Sequence, residues 1–153
     1  MLENYIKKYD LLNKQQCKDI IVEHKNAPWQ SHSWNKNADD SNSTKDYDPQ
    51  VLYMDKKWAY LVYKSLETKI EDYFKTVSDG SIYTKTFSPP RFNKYGVEQK
   101  MDYHVDHIHS LFDGQHRGIP ILSIITLLNE DYKGGEFCFK LDDKEVEYEL
   151  KAG

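Results

Sequence analysis

Apolar residues in the first quarter of the chain recur at helical spacing. Cys17, Ile20, Ile21 and His24 fall on one face, which predicts a helix from about Lys14 to Lys25. Asn13, followed three residues later by Gln16, supplies a capping box at its start. A longer helix is predicted from about Lys56 to Val77, with Asp55 as N-cap. Trp58, Leu61, Val62, Leu66, Ile70, Tyr73 and Phe74 form its apolar stripe. Between the two helices, residues 27–50 turn polar, as in SHSWNKNADDSNSTKDYDP, and read as loop. Trp29 and Trp34 are the residues expected to pin that loop to the body.

Past Ser78-Asp79-Gly80-Ser81 the period shortens. IYTKTF, RFNKY, KMDYHVDH, PILSIITLL, EFCFKL and EVEYEL read as short strands, punctuated by Pro89-Pro90, Gly96, Asp113-Gly114 and Lys133-Gly134-Gly135. Helices followed by an unbroken series of strands imply an α+β fold. The strands are expected to curl into a sandwich or barrel with both helices packed outside. There is no internal repeat, and 153 residues fit a single domain, 1–153.

Charge narrows the function classes. The net charge is −4 and the pI about 5.8, which makes a nucleic-acid partner unlikely on bulk electrostatics. No apolar run approaches the roughly 20 residues of a membrane span, so no membrane partner is expected. MLENYIKKYD lacks the apolar centre of a secretory signal, and a reduced intracellular setting is the default. Cys17 and Cys138 then read as buried free thiols. Arg91 and Arg117 are the only arginines, so forks for holding a carboxylate are few.

The chemistry concentrates in YHVDHIHS, residues 103–110. On a strand, His104 and Asp106 point the same way and Val105 the other. An imidazole and a carboxylate so placed are two members of a 2-His-1-carboxylate triad, the arrangement of non-haem Fe(II) oxygenases. Two other readings stand beside it. One is a solvated His and Asp at a polar strand end. The other is a zinc cluster that includes His107 and His109, although zinc hydrolases tend to show H-x-H-x-D-H and the order here is H-x-D-H-x-H. His107, His109 and His116 are expected in the loop beyond the strand, with residues 110–118 a lid. His24 reads as a core-edge or surface histidine.

The order RFNKY-G, YHVDH, GIPILSIITLLNEDYKGGEF resembles the prolyl 4-hydroxylase-like branch of the Fe(II)/2-oxoglutarate-dependent dioxygenases, in particular small bacteriophage forms. The likeness covers about Ser88 to Gly153, and more loosely LLNKQQCKDII. Tyr95 precedes His104 by nine residues; Leu122 to Asn129 and Tyr132 to Phe137 match the following strand and turn. The resemblance implies a double-stranded β-helix (jelly roll), an oxidoreductase activity, and the cytoplasm of a bacterial or phage-infected cell. It makes His104 and Asp106 the catalytic iron ligands. Tyr95 becomes a hydrogen-bond partner of 2-oxoglutarate, and Leu127 a wall of the cosubstrate pocket where some relatives carry a polar residue. Met101 stands where relatives often have a tyrosine near substrate. Gly134-Gly135 becomes a tight reversal.

The implied cofactors are Fe(II), 2-oxoglutarate and O2, with ascorbate as reductant. The implied reaction hydroxylates an unactivated C–H bond, most readily that of a prolyl residue in a peptide or protein substrate, and releases succinate and CO2. Relatives continue with a strand bearing a distal histidine and then a basic residue. The sequence reaches Gly153 before either, so the last strands, the third ligand and the carboxylate anchor are expected from a missing segment or a separate chain completing the barrel. A non-catalytic binding or scaffold module, and an oxygenase acting on another substrate class such as nucleic acid, stay open as alternatives.

Overall fold

The two helices begin where their caps place them. A computed structural model of the chain describes residues 4–32, 49–78, 86–104, 106 and 121–153. In it α1 spans Lys14–Glu23 and α2 spans Lys56–Ser78. The Asn13 side chain accepts from the Gln16 amide at 2.9 Å, and the Asn13 amide donates to Gln16 Oε1 at 2.8 Å. This reciprocal pair satisfies two amides that a helix start otherwise leaves without partners. At the other end of α1 the His24 amide and Nδ1–H both reach the Ile20 carbonyl, at 3.1 and 2.8 Å. In α2, Asp55 Oδ1 accepts the Trp58 amide at 3.0 Å. Trp58, Val62, Leu66 and Phe74 are its buried residues, each four or eight apart and so on one face.

Three strands form an antiparallel sheet in the order β1 (Gln30–Ser31), β2 (Gln50–Tyr53), β3 (Arg91–Lys94). β3 answers to the RFNKY run. β1 and β2 correct the expectation that all of residues 27–50 is loop, because both ends of that polar segment pair. Gln30 lies opposite Val51, and Leu52 opposite Phe92. Trp29 does pin the segment: its indole N–H donates to the His24 carbonyl at 2.9 Å, and the Lys94 ammonium lies 5.0 Å from the centre of its ring system. Trp34 lies outside the described residues.

β4 (Phe137–Leu141) and β5 (Lys144–Tyr148) form a separate antiparallel hairpin, matching the EFCFKL and EVEYEL runs. Leu141 pairs with Lys144 across a two-residue turn, and Asp142 takes φ 53°, a left-handed conformation that aspartate tolerates. The reversal expected ahead of the hairpin is present, with Gly134 and Gly135 at φ 75° and 74°. Phe137, Phe139 and Tyr148 stack edge to face along one side of the hairpin, with centroids 5.1 and 5.2 Å apart.

Two expected strands do not form as such. Residues 101–104 and 106 carry no strand, and residues 121–128 make only a parallel bridge between Leu127 and Ala152. A strand exists only where a neighbouring backbone accepts its amides, and among the described residues neither run has such a neighbour along its length. Among the described residues neither sheet closes into a barrel.

The core joins Leu12, Cys17, Ile20, Trp58 and Phe92, with Leu52, Leu61 and Leu128 packed against it. Leu128 thereby anchors the 121–128 run to the body. The N-terminal segment crosses the molecule, Tyr9 Oη donating to Asp72 of α2 at 2.7 Å and Lys8 Nζ to the Glu149 carbonyl at 2.6 Å. No helix among the described residues is long and apolar enough to cross a membrane.

Candidate metal centre

Tyr103 is tied to the hairpin by a side-chain hydrogen bond with Glu145. Cys138, Lys140, Glu145 and Glu147 share one of its faces by the strand alternation and the pairing of Cys138 with Glu147 and Lys140 with Glu145. Tyr103 lies against this face. The Glu145 carboxylate beside it pushes its phenol well above the ordinary tyrosine range, and partial burial adds to the effect. Burial, then the Glu145 charge, raises the Cys138 thiol.

The next residues carry the donors. His104 Nδ1 lies 2.7 Å from the Asp102 carbonyl oxygen. A carbonyl can only accept, so Nδ1 holds the proton and Nε2 carries the ring's lone pair in the neutral imidazole. Nε2 lies 3.3 Å from Asp106 Oδ1. With the ring neutral, Nε2 turns a lone pair toward a carboxylate oxygen, an arrangement that a cation between the two would relieve; with the ring protonated, the same contact is an ion pair. Donors bound at about 2.1 Å to a first-row divalent ion sit about 3.0 Å apart at a right angle and about 3.4 Å apart at a tetrahedral one. The separation in this protein falls inside that interval, so the pair fits a shared ion.

His104 and Asp106 are in contact, but residues 101–104 and 106 form no strand, so the alternation expected to place them on one face is not what brings them together. The other oxygen of Asp106, Oδ2, accepts a hydrogen bond from the Ser123 hydroxyl. Ser123 lies outside the H-x-D motif, and its contact with Asp106 spans 17 positions. Among the described residues no third imidazole, thiolate or carboxylate gathers with His104 and Asp106. His107, His109, His116, Arg117 and the 110–118 segment lie outside the described residues.

The expected cosubstrate residues are less closely drawn in. Tyr95 stands just past β3, about half exposed. Burial raises its phenol pKa, and the Arg91 guanidinium opposes the rise. No hydrogen bond among the described residues joins its hydroxyl to His104 or Asp106. Leu127 is partly buried, its carbonyl accepting from the Gly153 amide at 3.0 Å. Met101 is likewise partly buried.

A second cluster was not foreseen. Ligating atoms of Glu23, His24 and Asp55 lie within 4.8 Å of one another at the junction of α1 and α2. Its parts already have work. Lys57 Nζ sits 2.7 Å from Glu23 and holds that carboxyl below its usual range, and Asp55 caps α2. The cation of this cluster is the Lys57 ammonium. His24 is buried as a core-edge residue, with its ring 4.8 Å from that of Phe92.

Compared with known protein families, curated proteins and solved structures, the chain matches none.

Proposed function

We propose that the chain is an Fe(II)- and 2-oxoglutarate-dependent dioxygenase of the prolyl 4-hydroxylase-like kind, hydroxylating a prolyl C–H bond in a peptide or protein. The observation that carries this reading is the pairing of His104 Nε2 with Asp106 Oδ1 at 3.3 Å, with the imidazole tautomer set by the Asp102 carbonyl. The sequence resemblance over about Ser88 to Gly153 supports it and supplies the substrate class; the double-stranded β-helix belongs to the same proposal.

Bound iron supplies the activation of oxygen, coupled to decarboxylation of 2-oxoglutarate. The residues of this chain do the rest. His104 and Asp106 would hold the ion, and the chemistry it would supply takes a chelating cosubstrate beside them. Tyr95, its phenol kept protonated, offers a hydroxyl donor to the distal carboxylate of 2-oxoglutarate. Leu127 forms an apolar wall.

Succinate release tests this reading. Protein supplied with Fe(II), 2-oxoglutarate, ascorbate, oxygen and a proline-containing peptide should form succinate, and His104→Ala and Asp106→Ala should abolish it. Metal bound through His104 with 2-oxoglutarate left intact would favour the binding-module alternative.

A further inference from the structure

We infer that Ser123 is a positioning residue of the metal centre, one that selects which oxygen of Asp106 faces the ion. The inference rests on the metal-binding reading above and extends it to a residue outside the H-x-D motif.

A carboxylate at neutral pH can only accept, so the Ser123 hydroxyl donates its single proton to Asp106 Oδ2. That bond occupies Oδ2 and leaves Oδ1 turned to His104 Nε2, at 3.3 Å. On the other flank the Asp102 carbonyl takes the Nδ1 proton of His104 at 2.7 Å. The two donors are therefore each fixed from behind: the imidazole by a backbone acceptor, the carboxylate by a hydroxyl donor. Without Ser123 the carboxyl group could rotate about its Cβ–Cγ bond and exchange its oxygens, or chelate through both. Asp106 lies in a bend rather than a strand, so backbone pairing does little to restrict it. Ser123 itself is held. Its run is tied to the core through Leu128 and to Ala152 and Gly153 through Leu127. Hydrogen-bonding partners of this kind set ligand orientation, and their loss typically weakens metal affinity about 10- to 100-fold.

The test is a titration of the full chain with Mn(II), followed by the loss of the free-ion electron paramagnetic resonance signal. Ser123→Ala should weaken Mn(II) binding about 10- to 100-fold. Ser123→Thr, which keeps the hydroxyl, should restore it to within a few-fold. The metal-free variants should melt with the wild type, since the side chain is exposed. Equal affinity for wild type and Ser123→Ala, with His104→Ala unable to bind, would overturn the role of Ser123 and leave the metal site standing. Equal losses for Ser123→Ala and Ser123→Thr would also overturn it, because the hydroxyl would not be what matters. A wild-type chain that ignores Mn(II), or binds it as well without His104, would overturn both the role and the reading beneath it.

Discussion

The amide of Gly153 donates to the carbonyl of Leu127 at 3.0 Å, while the carbonyl of Gly153 accepts the amides of Leu11 and Leu12. One residue thus joins the N-terminal segment to the run that carries Ser123. Gly153 takes φ +104°, and a Cβ there would collide with the Leu12 carbonyl oxygen. Gly153→Ala should therefore lose this junction, at a cost of about 1–3 kcal/mol. A denaturant melt measures the cost. Amide exchange at Leu12 should quicken in the variant, and an unchanged rate would contradict the role given to Gly153.

The capping box at α1 is local and separable. Asn13→Ala removes the acceptor for the Gln16 amide and should cost about 1 kcal/mol. Asn13→Asp and Asn13→Ser, which keep an acceptor, should stay close to wild type in the same melts.

Ile20 is 1% exposed and faces Cys17, Trp58 and Phe92 across the core. Ile20→Ala deletes three carbons where α1 meets α2 and the sheet, and should destabilise the protein by about 2–5 kcal/mol. Val22, 74% exposed on the opposite face, is the control: Val22→Ala should leave stability almost unchanged.

Tyr9 gives a pH signature. Burial, followed by the hydrogen bond to Asp72, pushes its phenol up to about 12 from the usual 10.0. A pKa raised in the folded state favours the protonated form. The stability it adds is full below about pH 10 and is lost as pH rises through about 12. An ultraviolet difference titration of wild type against Tyr9→Phe should show this ionisation late. Asp72→Asn should bring it part of the way back, since the burial remains.

The parts of the fold that were legible in the sequence are those set by near neighbours. Asn13 with Gln16, and Asp55 ahead of Trp58, mark helix starts through contacts only three residues long. The β4–β5 hairpin follows from two alternating runs a turn apart. The pairing of Gln30 with Val51 is different, because it joins positions across a polar segment with no periodic signal, and only the tertiary context settles it. The reverse failure occurs at Ile121, Ile124 and Ile125, which read as strand yet stay exposed. β-branched residues describe a preference; a ladder also needs a partner. At the site, strand alternation does not account for the contact of His104 with Asp106, because residues 101–104 and 106 form no strand. The Ser123 contact spans 17 positions and follows from no short-range pattern.

His104 and Asp106 are proposed to hold a single divalent ion through Nε2 and one carboxylate oxygen. Proton magnetic resonance of the Co(II)-loaded chain tests this most directly. An imidazole ligated through Nε2 keeps its Nδ1–H, which appears as a strongly shifted, solvent-exchangeable resonance. Such a resonance should be present in the wild type, should persist in His24→Ala, and should vanish in His104→Ala. Asp106→Ala should abolish Co(II) binding. A shifted resonance that survives His104→Ala, or that disappears with His24→Ala, would contradict the claim and move the metal to other residues.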